Sequence, residues 1–194
     1  MQTYITSELR ASRAMLDAVL ADGALLAEVE RLAARCIEAL RAGRKLLLAG
    51  NGGSAADAQH FSAELVARYG YDRPGLPSFA LTTDTSALTA IGNDYGFEHL
   101  FSRQVQAVGQ AGDVFIGLST SGRSPNILAA LKEARRLGLV TVGFTGKSGG
   151  QMRGLCDLCL CVPSEETPRI QEGHGLIGHI VCGLIESAIH PRRP

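Results

Sequence analysis

The sequence predicts an α/β fold: a parallel sheet flanked by helices on both faces. From Lys45 onward, strand-like apolar stretches alternate with helix-like ones, the signature of repeated strand and helix units. The first unit is the clearest. An apolar run, Leu46-Leu47-Leu48-Ala49, empties into Gly50-Asn51-Gly52-Gly53-Ser54, and an alanine-rich segment follows, which reads as strand, glycine turn and helix. Sheets of this class bind ligands at the carboxyl ends of their strands, so the loops that follow strands are where function is expected.

Ahead of that unit, Tyr4 to Ala42 carries apolar residues at three- and four-residue spacings, as in Met15, Val19 and Leu20, then Leu25, Leu26, Val29, Leu32 and Ile37. That is one or two amphipathic helices with a break near Asp22-Gly23. Their apolar faces need cover, either from the chain's own sheet or from another subunit, and in a chain of 194 residues we expect the second. After the first unit come a strand at 78–81, helical stretches at 85–91 and 98–107, and a strand at 113–118. A helix at 124–137, a strand at 140–144, a glycine-rich turn at 146–150, a strand at 158–162 and a last helix at about 169–189 complete the chain.

Nineteen basic and nineteen acidic residues cancel, so no overall field draws in nucleic acid or an anionic membrane, and any anion site must be local. The opening MQTYITSELR lacks the charged-then-apolar pattern of a secretory signal, and no apolar run approaches the roughly 20 residues of a membrane span. A soluble cytoplasmic protein is expected. Five cysteines make an odd count without a disulfide framework, which favours reduced thiols. Cys156, Cys159 and Cys161 lie in CDLCLCV, which reads as a buried strand whose cysteines act as small hydrophobes; we assign them no chemistry.

The glycine turn has the outline of a phosphate cradle. Gly50, Gly52 and Gly53 can take positive φ, and the new helix presents free N–H groups and its positive dipole end. Taken alone, such a turn is often only a tight connection. On the same helix, His60 and Glu64 are four residues apart and share a face, so a metal ligand and a carboxylate base can sit beside the anion site. A second loop, Ser119-Thr120-Ser121-Gly122-Arg123-Ser124-Pro125-Asn126, ends the 113–118 strand with four hydroxyls around one glycine, and Pro125 suits the first turn of the next helix. Its plainer reading is a helix cap made by Ser124. No P-loop and no dinucleotide fingerprint is present, so neither ATP nor NAD is expected. In the last helix, Gln171 and His179 are eight residues apart, about 12 Å along the axis on roughly one side, just close enough to lean toward one metal. His174 is offset from both and is expected to be structural or supporting. Gly173, Gly175 and Gly178 weaken that helix, which predicts close packing or close ligand approach there.

Together GNGGSAADAQHFSAE, LTAIGNDYGFEHLFSRQV, GDVFIGLSTSGRSPNIL and RIQEGHGLIGH resemble the sugar isomerase (SIS) domain family, and within it the phosphoheptose isomerases. The resemblance runs from about residue 4 to 190. It implies a flavodoxin-like three-layer α/β/α fold with a five-stranded parallel sheet, a homotetramer, active sites near subunit boundaries, and one zinc ion (Zn2+) per subunit. Residues 1–43 would be a helical arm used in oligomerisation and 44–194 the SIS domain. Carried onto matching positions, the zinc ligands would be His60, Glu64, Gln171 and His179. The sugar phosphate would touch Asn51, Gly52, Gly53, Ser54, Glu64, Asn93, Asp94, Ser119, Thr120, Ser121, Ser124 and Gln171. The match thins at 165–168.

The implied reaction converts D-sedoheptulose 7-phosphate to D-glycero-D-manno-heptose 7-phosphate through an enediolate, as the first step toward ADP- or GDP-heptose precursors of lipopolysaccharide or capsule. Glu64 would be the base and His179 the acid that serves the oxygens. Two rivals stand beside it. A tetrameric scaffold that binds a replication initiator shares the fold and glycine loop but lacks the glutamate at the position of Glu64. An isomerase or sensor for another sugar phosphate would keep the hydroxyl loop without needing the His60, Glu64, Gln171 and His179 set.

Overall fold

The structure, a computed structural model, describes residues 1–192. Its centre is a five-stranded, wholly parallel sheet in the order β2-β1-β3-β4-β5, built from β1 (Leu46–Gly50), β2 (Ser78–Ala80), β3 (Val114–Leu118), β4 (Val140–Gly146) and β5 (Leu158–Val162). Leu46 pairs with Ser78 on one side and Val114 on the other. This is the flavodoxin-like arrangement, whose strand order reverses at the gap between β1 and β3. The glycine turn after β1 and the hydroxyl loop after β3 therefore open side by side at that gap.

Helices cover both faces. On one lie α2 (Gly23–Arg41), α3 (Gly53–Val66) and α7 (Thr167–Ile189), with α1 (Gln2–Ala21) outside them; on the other lie α4 (Thr85–Asp94), α5 (Leu100–Val108) and α6 (Pro125–Arg136). Each central strand feeds two cores: Leu46 and Leu48 point to the α2, α3 and α7 side, Leu47 and Ala49 to the other. That is why the strands read as continuous apolar runs instead of alternating with polar residues. Single turns of 310 helix at Phe97–His99 and Met152–Gly154 are the elements the sequence does not announce. No helix among the described residues is long and apolar enough to cross a membrane.

The two helices ahead of β1 behave differently. α2 buries Leu25, Val29, Leu32, Ala33 and Cys36 against β5 and α7 of its own chain. α1 buries only Met15 and Val19 and leaves Tyr4, Ile5, Leu9, Leu16 and Leu20 in solvent. In β5, Leu158, Leu160 and Val162 face the core while Cys159 and Cys161 share the opposite face. Those two thiols are half-buried, where the sequence suggested burial, because β5 is the sheet's edge; their sulfurs lie 3.8 Å apart. All five cysteines are free.

Three of the four glycines of α7, Gly173, Gly175 and Gly178, have separate explanations. A Cβ on Gly178 would stand 2.1 to 2.6 Å from three ring atoms of Phe61 on α3, and one on Gly173 would stand 2.7 Å from Val162. Gly175 has nothing within 4 Å. Close packing of α7 on α3 and β5 accounts for two of the three. We expect Gly178→Ala to destabilise the chain by about 1–3 kcal/mol through overpacking, and Gly175→Ala to be neutral or stabilising by up to about 1 kcal/mol. Equilibrium urea unfolding of the two variants checks this; equal losses would show that α3 and α7 are not held at this distance.

Candidate functional site

The turn after β1 is built by three glycines for three reasons. Only Gly52, the N-cap of α3, has positive φ, at 56°. Gly50 is there because a Cβ would strike the backbone oxygen of Ser54 at 2.3 Å, and Gly53 because a Cβ would lie 2.5 Å from Nε2 of Gln171. Of the three positions that can take positive φ, one does so and two serve close approach. Gln171, from α7, lies against the turn itself. Ser54 is buried, and its N–H donates to the Asn51 carbonyl at 3.1 Å.

About two and three turns along α3, His60 and Glu64 project toward α7. Nε2 of His60 stands 2.6 Å from Nε2 of His179 and 3.6 Å from Oε1 of Glu64. One donor atom from each of the three residues lies within 4.8 Å of the others, so they form a possible metal-binding site. The donor set fits a divalent transition metal: two imidazoles meeting nitrogen to nitrogen need a shared proton or a shared cation, and the carboxylate supplies charge. His60 is half-exposed and Glu64 more sheltered, which leaves the trio open on one side. Tyr69 closes another side, its ring 5.8 Å from that of His179.

The hydroxyl loop faces the glycine turn. Ser124 is the N-cap of α6, yet its side chain makes no cap bond; Oγ pairs with Ser119 Oγ at 2.8 Å, and Ser119 Oγ reaches Ser121 Oγ at 3.4 Å. The simple cap reading therefore fails: Ile127 N–H donates to the Ser124 carbonyl at 3.1 Å and to Asn126 Oδ1 at 3.0 Å, and Leu128 N–H to the Ser124 carbonyl at 3.0 Å, so the hydroxyl of Ser124 is left to its neighbours in the loop. Thr120 anchors the loop through its carbonyl, which accepts from Gly146 N–H at 3.0 Å. Asn51 and Asn126 exchange two amide hydrogen bonds, of 2.9 and 2.8 Å, and so lock the two loops together across β1 and β3.

The family model for the SIS domain matches residues 9–146. The chain belongs to the SIS domain family. It is 63% identical over 187 residues to a phosphoheptose isomerase of Burkholderia pseudomallei, covering 96% of this chain and 95% of that one. To the phosphoheptose isomerase of Aneurinibacillus thermoaerophilus it is 60% identical over 189 residues, covering 97% and 96%. Among solved structures, a phosphoheptose isomerase from Neisseria gonorrhoeae superposes with a TM-score of 0.90 at 43% identity, covering 96% of this chain and 98% of that one.

In this SIS chain not every expected residue gathers at the site. Asn93 and Asp94 end α4, exposed, and bond only each other, Asn93 Nδ2 donating to Asp94 Oδ1 at 2.7 Å. Two contributors escaped the sequence reading. Asn126 is buried and closes the amide pair, but nothing in its spacing marks it. Asp57 stands one turn before His60, with Oδ2 buried and without a hydrogen-bond partner; burial raises its pKa, and the neighbouring His60 works against that rise. Its i,i+3 spacing from His60 was the available signal.

His174 is structural, as expected. It is fully buried, its Nε2–H donating to the Thr145 carbonyl at 3.1 Å and its ring edge-on to Phe144. Burial lowers its pKa from 6.5 to about 4, against the pull of the Thr145 carbonyl. A lowered histidine pKa means that the unfolded chain takes up the proton first, so stability falls as pH drops from about 6.5 towards 4. A His174→Gln variant should lose less stability than the wild type over that window, followed by thermal melts at stepped pH; parallel losses would mean that residue 174 is not held neutral.

Proposed function

We propose that the chain is an aldose-ketose isomerase that converts D-sedoheptulose 7-phosphate to D-glycero-D-manno-heptose 7-phosphate. What carries the proposal is the convergence of His60, Glu64 and His179 beside a glycine turn and a hydroxyl loop, in a chain that aligns nearly end to end with phosphoheptose isomerases. In this reading the phosphate lies at the starts of α3 and α6, at the positive ends of their dipoles, held by the side chains of Ser119, Thr120, Ser121 and Ser124. Neutral hydroxyls suit a phosphate that must bind and leave repeatedly. Asn51, Gly52, Gly53, Ser54 and Gln171 hold the sugar at the turn. The metal is Zn2+, held by His60, Glu64, Gln171 and His179; when bound it supplies Lewis-acid polarisation of the sugar's oxygens.

Glu64 removes the proton from C1 to give an enediolate and returns a proton at C2, while His179 moves protons on and off the oxygens. A carboxylate gripping a cation loses basicity, so Glu64 acts as a base only while its grip is loose. Its partly sheltered position beside His60 suits that double role. The product enters heptose precursor synthesis for lipopolysaccharide or capsule. We place the enzyme in the cytoplasm, in keeping with its free thiols.

The proposal includes a homotetramer, with residues 1–43 as its oligomerisation arm ahead of an SIS domain at 44–194. Two unpartnered apolar stripes support it: Tyr4, Ile5, Leu9, Leu16 and Leu20 on α1, and Leu176, Ile180 and Leu184 on α7. Asn93 and Asp94, exposed on α4, then reach a sugar across a subunit boundary.

Glu64→Gln tests the chemistry. It should lower turnover of sedoheptulose 7-phosphate at least about 100-fold, with binding of the sugar phosphate within a few fold by calorimetry, and a chelator should silence the wild type. Normal turnover by Glu64→Gln would remove the proposed base.

A further inference from the structure

Behind the donor trio lies an ion pair that the chemistry above does not use. Arg73 and Glu186 meet Nε to Oε1 at 3.1 Å, each side chain only 2% exposed. Glu186 stands on α7 seven residues after His179, two turns along nearly the same stripe. Its carboxylate accepts the N–H of Tyr69 at 2.8 Å and of Gly70 at 2.7 Å besides Arg73. Arg73 in turn donates to the carbonyls of Glu64, at 2.8 Å, Leu65, Ala67 and Pro74. The carbonyls of the last turn of a helix lack partners within it, so Arg73 finishes α3 from outside.

A buried ion pair is a weak source of stability, because desolvation of both charges offsets their attraction. What it supplies is direction. Arg73 ties itself to the end of α3 that bears Glu64, and Glu186 joins Arg73 and the N–H groups of Tyr69 and Gly70 to α7 two turns beyond His179. We propose that Arg73 and Glu186 are positioning residues for the metal-binding trio: they lock the C-terminal end of α3 to α7, so that Glu64, His60 and His179 converge before ion or sugar arrives. The proposal rests on reading those three residues as a metal site.

The chain contains a matched control. Asp113, also buried, accepts the N–H groups of Lys45 at 3.1 Å and Gln110 at 2.8 Å and pairs with the Lys45 ammonium at 2.6 Å, just ahead of β1 and β3 and with no bond to Arg73, Glu186 or the loop 67–71. Glu186→Gln and Asp113→Asn each place an amide N–H2 among backbone donors and cost comparable stability, but only the first touches the clamp. Arg73→Lys keeps the charge and loses the fan of bonds to carbonyls.

The experiment measures three things on the full chain: Zn2+ affinity by competition with a chromophoric chelator, kcat and KM, and hydrogen exchange of metal-free protein at residues 64–70. Glu186→Gln and Arg73→Lys should each bind Zn2+ about 10- to 100-fold more weakly, lower kcat with KM nearly unchanged, and exchange at least about tenfold faster at 64–70. Asp113→Asn should melt at lower temperature with Zn2+ affinity and 64–70 exchange as in the wild type. Overturning results are a Glu186→Gln protein that melts earlier but keeps its Zn2+ affinity and exchange, or an Asp113→Asn protein that loses both. If Glu186→Gln does not accumulate folded, Arg73→Lys decides alone. A wild type that binds Zn2+ without isomerising the sugar sinks the proposed reaction and leaves this comparison standing; one that binds no Zn2+ sinks the metal reading, and the exchange arm then decides whether the clamp exists.

Discussion

The separation of α3 and α7 governs the site. These helices sit on the same face of the sheet, and each bears donors that the other must meet: His60 and Glu64 on α3, His179 on α7. An ordinary packed pair of helices has axes about 8–10 Å apart, and the side chains at the crossing set where in that range it falls. Here the crossing is made by Gly178 lying on the ring of Phe61, which lets α7 come in until imidazole reaches imidazole. Residue 178 precedes His179 and residue 61 follows His60, so this contact sits next to the donors. The core on that face, from Leu32 and Leu48 to Ile177 and Ile185, presses the same two helices inward.

The proposed phosphate side of the site follows from topology instead of helix packing. Parallel strands point their carboxyl ends one way, and the reversal of strand order between β1 and β3 leaves adjacent loops diverging there. The Asn51 and Asn126 pair bridges that gap and ties the glycine turn to the start of α6. With equal numbers of acidic and basic residues, any anion site must be local, and the proposed one joins the starts of two helices to a cluster of hydroxyls.

Much of this was legible in the sequence, for identifiable reasons. Strands buried on both faces are unmistakable runs such as Leu46-Leu47-Leu48-Ala49, and the i,i+4 spacing of His60 and Glu64 is a property of one helix. The pairing of His60 with His179 across 119 residues was reachable only through the family resemblance. Asn126, Arg73 and Glu186 stayed hidden because their roles depend on tertiary neighbours and not on period. The glycine turn was recognised for a partly mistaken reason: of its three glycines only Gly52 needs positive φ, while Gly50 and Gly53 make room for Ser54 and Gln171. Cys159 and Cys161 were placed on the right strand and on one face, but position at the sheet edge, which sets their exposure, has no local signature.

X-ray absorption at the zinc edge of protein loaded with one equivalent of Zn2+ tests the central claim most directly, because it reads donor identity without reference to turnover. Convergence of α3 and α7 on one ion requires a first shell of nitrogen and oxygen only, at about 2.0–2.2 Å, with the outer-shell pattern of two imidazoles. A sulfur shell at about 2.3 Å, or the absence of imidazole scattering, would place the ion elsewhere in the chain and contradict the account.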